Sequence, residues 1–471
     1  MKKFRYLALE EQLRHKIKSQ RFKEGEKIPS VRALCQHNEL SKATVLHALQ
    51  RLEAEGLIYA VPKSGYFVSQ TLVQRNLPTK VTTPSTPTQV NVPELFRDIM
   101  SRSAAFDILP KEGAPHVTSH QKTLNRMINR AARARPEQKS NYYDEPKGQL
   151  PLREAIAELY RQRDTEILPE SLCITAGCQH ALFLSIMATC KTGDTVAVES
   201  PAFYGVLQQI EHLGLEVIEI SSDPSTGLDL DELENKTKNW PIKACIVTPN
   251  FSTPTGSKMP PSAMQRLISL AQDKDFFIIE DDIYGELNFD NEPCLPIKAF
   301  DNCGRVILCG SFSKCLSREL RIGWVSTDRL QDKIVQLKLI TQLASPQAAQ
   351  GGLSEFILSG NFKRHTNQQR QRLKTQRDEL LREIEKHWGK NCRFSYPNGG
   401  LSCWIELPQH IDTQRSYRQL LTKGIVLTPG PLFSANGLYK NHMRLSFSHP
   451  LTEHRRAALH VLFNTLLNQV V

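Results

Sequence analysis

Gly310-Ser311-Phe312-Ser313-Lys314, with Arg321 seven residues on in Arg321-Ile322-Gly323-Trp324, decides the reading of this chain together with Ile278-Ile279-Glu280-Asp281-Asp282-Ile283-Tyr284 just before it. A lysine in a serine frame supplies an amine beside two hydroxyls and a guanidinium. A buried amine condenses with an aldehyde to a Schiff base. Hydroxyls and an arginine hold a phosphate. An aspartate at the end of an apolar strand holds a pyridine nitrogen protonated, which makes the ring an electron sink. Together the two stretches read as a site for pyridoxal 5'-phosphate (PLP) on an α/β scaffold.

The surrounding chain has 471 residues, 40% hydrophobic and 23% charged, the balance of a globular protein of more than one domain. No apolar run is long enough to span a bilayer, and the start has no signal-peptide pattern. The 11 cysteines are scattered with no Cys-x-x-Cys pair. That argues for a reducing cytoplasm and against a disulfide framework or a zinc site.

The net charge of +11 is uneven: residues 1–70 hold 13 Lys/Arg against 7 Asp/Glu. A basic amino-terminal module suggests a phosphate-backbone partner. In it Leu9, Leu13 and Ile17 recur every four residues, one face of a helix. Pro29-Ser30 opens a second helix, Asn38-Glu39-Leu40 turns, and Ser41 caps a third with Val45, Ala48, Leu49 and Leu52 inward. Two short strands joined by Pro62-Lys63-Ser64-Gly65 then make a wing. This is a winged helix-turn-helix. Ser41, Lys42, Thr44 and His47 face a DNA major groove, Ser30 and Arg32 are placed for phosphate, and Lys63, Ser64 and Gly65 form the wing tip. Residues 71–91, rich in Thr and Pro without aromatics, read as a linker. From 92 to 471 strand and helix patterns alternate, as in an α/β domain.

Further motifs lie along that domain. Ala176-Gly177-Cys178-Gln179 ends a strand and opens a helix, where free N–H groups bind an anion. Ala202-Phe203-Tyr204-Gly205 offers an aromatic to stack on a planar ring. Asn250-Phe251-Ser252-Thr253-Pro254-Thr255-Gly256 follows a strand, and His442-Met443-Arg444-Leu445 sets an arginine in another, where a ligand carboxylate or a structural acid would pair with it.

The first module resembles the GntR-type winged helix-turn-helix, and the second, in order of motifs, the fold type I aminotransferases. The fusion resembles the MocR-type bacterial transcription regulators, in their YdcR-like branch. The resemblance implies a mostly parallel central sheet with a smaller carboxy-terminal α+β part, and a homodimer. It implies that Lys314 carries PLP covalently. Asp281 pairs with the pyridine nitrogen, Tyr284 with the phenolic oxygen, and Phe203 stacks on the ring. Gly177, Cys178, Gln179, Ser311, Ser313 and Arg321 hold the phosphate, with Tyr143 reaching that of the other subunit. Arg444 binds an effector carboxylate. Thr253 stands where the family has asparagine. It is shorter, which leaves the phenolic oxygen one hydrogen bond short, and Asn250 is the nearby amide. Ser317-Arg318-Glu319 replaces the usual Ala-Pro-Gly. The expected function is a PLP-dependent regulator that binds operator DNA and senses an amine, an amino acid or PLP. The alternatives are an active aminotransferase with an accessory DNA-binding domain and a DNA-binding protein whose second domain is a dimerisation scaffold.

Overall fold

A computed structural model describes residues 5–18, 22, 25–54, 57–61, 64–68, 77–90, 98–99, 107–110, 118–134, 143, 145–290 and 293–469. The chain divides after Asn76 into two compact units.

The amino-terminal unit has three helices, α1 (Arg5–Lys18), α2 (Val31–Asn38) and α3 (Lys42–Ala54), and a hairpin of β1 (Ile58–Val61) and β2 (Gly65–Val68). Leu9, Leu13 and Ile17 pack with Leu34, Val45, Ala48, Leu49 and Leu52, so the four-residue spacing becomes a core. Ser30 accepts the Ala33 N–H at 3.2 Å and Ser41 the Thr44 N–H at 3.2 Å; each satisfies an orphan donor of its helix. Glu10, itself buried, holds both Arg14 and Arg51. The hairpin pairs in antiparallel register, Ile58 opposite Val68 and Val61 opposite Gly65.

The larger unit is built on a nine-stranded sheet. Its strands are β3 (Thr88–Gln89), β4 (Leu172–Thr175), β5 (Thr195–Ser200), β6 (Glu216–Asp223), β7 (Gly227–Leu228), β8 (Ile242–Val247), β9 (Phe277–Asp281), β10 (Val306–Ser311) and β11 (Gly323–Ser326). The order is β3-β6-β5-β8-β9-β10-β11-β4, with β7 on β6. From β6 to β10 the pairing is parallel; both flanks are antiparallel. Both faces are covered, so β5 and β10 are buried along their whole length, as parallel strands require. Helix α4 (Cys178–Thr189) lies on one face beneath Ile279, Ile307 and Cys309.

A four-stranded antiparallel sheet forms the carboxy-terminal part, with β12 (Arg393–Phe394), β13 (Ser402–Glu406), β14 (Thr428–Pro429) and β15 (His442–Ser446) in the order β12-β13-β15-β14. The long helix α5 (Asn361–Trp388) and the terminal α6 (Glu453–Leu467) accompany it.

The stretch expected to be a linker departs from that expectation over 77–90. β3 adds antiparallel to β6, with Thr88 opposite Val217. The Thr79 amide donates to Glu406 at 2.6 Å, Lys80 pairs with Asp229, and Lys236 reaches the Pro84 carbonyl at 2.7 Å. The segment has too little apolar surface to fold alone. It is ordered by backbone and side-chain partners that the large unit supplies.

Candidate functional site

Three adjacent acids end β9, and the alternation of a strand sends them to different work. Glu280 accepts the backbone amides of Ile297 at 2.7 Å and Lys298 at 3.0 Å. Asp282 takes a two-pronged ion pair from Arg163 at 2.6 and 2.9 Å, and the Tyr160 hydroxyl at 3.0 Å. Asp281, between them, points the other way, to the first turn of α4, where the Cys178 thiol donates to its Oδ1 at 3.1 Å. Burial, more than any neighbour, raises the Asp281 carboxyl to about 6. A carboxylate held out of water in this way gains from a cationic partner such as a protonated ring nitrogen. The same burial, with Asp281 alongside, keeps the Cys178 thiol protonated and a donor.

Lys314 follows β10 on the loop that leads back into β11. Burial lowers its amine well below the usual lysine range, and the guanidinium groups of Arg318 and Arg444 lower it further. Both effects favour the uncharged amine, the form that attacks an aldehyde. Gln369 of α5 holds the Lys314 carbonyl at 3.2 Å, and His365 holds that of Cys315 at 3.0 Å.

The anion cup forms where β4 gives way to α4. Gly177 has φ +89°, and a Cβ there would lie 2.8 Å from the Arg321 guanidinium. Only glycine lets the backbone and that arginine approach so closely. Arg321 donates to the Ala176 carbonyl at 2.8 Å. The Ser311 and Ser313 hydroxyls lie 2.9 Å apart. Helix N–H groups, two hydroxyls and a guanidinium are a donor set for a phosphate dianion. Gln179 begins the same helix, its carbonyl held by Gln209 at 2.8 Å.

Aromatic side chains close the other end. Phe203 sits 4.8 Å from Tyr204, ring centre to ring centre, and Tyr204 5.5 Å from Phe433. The buried guanidinium of Arg444 rests 5.6 Å from the Tyr204 ring and 5.4 Å from Phe433. Tyr284 is buried, and burial raises its hydroxyl above the ordinary tyrosine range.

Two positions have partners that the sequence does not announce. The Asn250 side chain is spent on structure: its amide donates to the Leu295 carbonyl at 2.9 Å and its oxygen accepts from Cys294 at 3.0 Å. Thr253 does reach a partner, donating to the Tyr284 hydroxyl at 2.8 Å. In this bond Tyr284 is the acceptor, so its own proton is not spent on Thr253. Tyr143 is 77% exposed in the single chain. In the reader unit Ser30, Arg32, Ser41, Lys42 and His47 are exposed, Thr44 and Ser64 half-buried, and Gly65 opens β2 at φ +113°. Lys63 lies outside the described residues.

The sequence reading missed Glu199, at the end of β5. It accepts from Ser252 at 2.6 Å and from the Thr248 amide at 3.2 Å, while its other carboxyl oxygen is buried with no hydrogen-bond partner. Burial raises it to about 7. A Glu before Ser-Pro reads as an ordinary strand end, so no local signal marked it.

Comparison with known proteins bears on this site directly. Residues 111–461 match the aminotransferase class I and II family, and residues 5–68 the gntR family of bacterial regulatory proteins. The chain belongs to the aminotransferase class I and II family, in the GntR-fused form of the MocR-type regulators. Similar chains include two uncharacterized HTH-type transcriptional regulators of Escherichia coli (strain K12). YjiR is 36% identical over 97% of both chains, and YdcR 32% identical over 95% of both. Among solved structures, the multiple substrate aminotransferase of Thermococcus profundus superposes with a TM-score of 0.71 at 28% identity, over 79% of this chain and 94% of that one. Kynurenine aminotransferase of Pyrococcus horikoshii, solved with PMP, gives 0.71 at 28% identity, over 81% and 96%. The cofactor of this MocR-type chain is pyridoxal phosphate, and the donor set above fits it. It is a PLP-dependent regulator with a DNA-binding head. Among the described residues no helix is long and apolar enough to cross a membrane.

Proposed function

We propose that the protein is an operator-binding regulator whose effector is an amino acid, taken up at Lys314 and read by its carboxylate. The observation that carries this is a buried Lys314, its amine lowered by that burial and by Arg444, together with a buried Arg444 boxed by Tyr204 and Phe433, in a chain that also bears a reader helix. PLP supplies an aldehyde that exchanges one amine for another and a ring that withdraws electrons. The chain's part is to orient and to release. Lys314 would hold PLP through that aldehyde, and its amine is the group placed to take or return a proton at the site. Arg444 selects ligands that carry a carboxylate beside that amine. Asp281, which accepts from Cys178, would hold the ring nitrogen, Tyr284 braced by Thr253 the phenolic oxygen, and Gly177, Cys178, Gln179, Ser311, Ser313 and Arg321 the phosphate. Phe203 covers the ring. Tyr143, exposed in one chain, serves the phosphate of a second subunit in a homodimer. An amino acid held by Arg444 would change the contacts that Lys314 makes, and that difference would bias the DNA readers. On DNA, Ser41, Lys42, Thr44 and His47 meet the major groove, Ser30 and Arg32 the phosphates, and Lys63, Ser64 and Gly65 the wing contact.

A working transaminase is the second reading. A likeness to aromatic-amino-acid aminotransferase 1 of Thermococcus litoralis, 32% identical over 70% of this chain, favours it. One experiment divides them: absorbance of the purified protein titrated with amino acids and simple amines, with operator binding followed in parallel. In the regulator reading Arg444→Ala abolishes the response to amino acids while ligand-free DNA binding persists. A response that survives Arg444→Ala points to an amine without a carboxylate, or to PLP itself. Steady turnover at ordinary enzyme rates, on the order of 1–1000 per second, contradicts sensing.

A further inference from the structure

Far from Lys314 along the chain, Glu383 and His387 leave the last turns of α5 one turn apart, so both side chains share a face. His460 joins them from α6. The His460 Nε2 lies 2.9 Å from Glu383 Oε1, and the His387 Nε2 lies 3.4 Å from the same oxygen. The three ligand atoms all lie within 4.8 Å of one another. A tetrahedral zinc ion with bonds of about 2.0–2.1 Å has ligand-to-ligand edges of roughly 3.3–3.4 Å; the Glu383–His387 pair already has that spacing, and the Glu383–His460 pair, a hydrogen bond at 2.9 Å, would open slightly to admit the cation.

Charge balance alone does not account for this convergence. Glu383 already pairs with Arg456 through its other oxygen, Oε2. One guanidinium neutralises the carboxylate, yet two imidazoles also turn their Nε2 atoms to Oε1. Glu383 is nearly buried, and the two imidazoles are about a third exposed, which leaves solvent an approach to the cluster. The wall is rigid: Trp388 stacks flat on Phe463 at 4.2 Å and meets the His460 ring edge-on at 4.8 Å.

We propose that Glu383, His387 and His460 bind a divalent transition cation of zinc type, with two imidazole nitrogens, one carboxylate oxygen and a fourth position left to water. Arg456, on the remote carboxylate oxygen, fixes the orientation of the ligand as outer-shell partners do. Neither ligand pair stands in a Cys-x-x-Cys frame, which is why spacing in the sequence does not announce the site. The cation staples α6 to the end of α5. The same helix, about 21–27 Å back along its axis at 1.5 Å per residue, carries Gln369 on the Lys314 carbonyl. A cation at this position would tie down the helix that braces the Lys314 loop.

The test uses the full-length, PLP-loaded protein titrated with zinc chloride against a chromophoric zinc chelator. The expectation is one equivalent per chain that His387→Gln and His460→Ala each weaken by about tenfold or more. Nickel chloride should quench Trp388 fluorescence in the wild type and not in His387→Gln. Because His460 packs on Trp388, His460→Ala can disturb the wall. His387 meets Trp388 at 5.6 Å but lies outside the Trp388–Phe463 stack, and glutamine keeps most of its bulk, so His387→Gln carries the decision. Equal zinc stoichiometry and affinity in His387→Gln and wild type overturn the site, as does zinc uptake that disappears when the cofactor is removed.

Discussion

The outer face of α3 and the pocket around Lys314 are two ways of making a binding surface. On α3, Ser41, Lys42 and His47 stand in water on a helix whose inner face, Val45, Ala48 and Leu49, does the packing. Around Lys314 nearly every titratable group is withdrawn from water: Asp281 is raised to about 6, Glu199 to about 7, and Lys314 lowered. The first surface works by contacts added one at a time. The second works by desolvation, so its members depend on one another and on pH.

The comparison breaks first at Lys314. Lys314→Ala should abolish covalent PLP attachment altogether with the fold retained; borohydride reduction and mass mapping that tag a different lysine would refute the assignment. Next in size is the support behind the site. Arg163→Ala leaves Asp282 buried and unpaired and should destabilise the chain by about 3–5 kcal/mol, read by denaturant unfolding. An effect near zero would mean that Asp282 is not held as the geometry indicates.

The third effect is one of pH. Asp281 titrates at about 6 when folded, above an unfolded aspartate. In that window the folded state binds more protons, so its stability falls as pH rises, and the full cost is present above pH 6. Asp281→Asn should therefore stabilise the cofactor-free protein at pH 8 by up to ~3 kcal/mol, with no gain near pH 3, while weakening PLP binding. A gain independent of pH would separate the effect from titration. Smallest is the α3 face, where Lys42→Ala should cost about 1–3 kcal/mol of operator affinity if a base is read, or flatten the salt dependence by about one unit if a phosphate is. Unchanged affinity and slope remove Lys42 from the interface.

What the sequence disclosed follows the same division. Helical spacing placed Leu9, Leu13 and Ile17 in a core because amphipathic periodicity is a local property. The Lys314, Asp281 and Arg444 motifs stand out in the sequence because the proposed chemistry demands those residue types. Contacts between distant strands were not. Asn250 is drawn to Leu295 and Cys294, Thr253 to Tyr284, and the Cys178 thiol to Asp281, and none of these pairings leaves a mark in spacing. The pairing of Arg51 on α3 with Glu10 on α1 is of the same kind.

The short strand β3 has a consequence for anyone who cuts this protein in two. β6 would be an outer strand of the sheet along the stretch that Thr88 and Gln89 cover. A fragment begun at residue 92, or at 111 where the family match starts, uncovers that row of backbone donors and acceptors and loses the Lys80 and Thr79 tethers. Bare strand rims recruit other chains, so such a fragment should precipitate or self-associate where one begun at Leu77 stays dispersed.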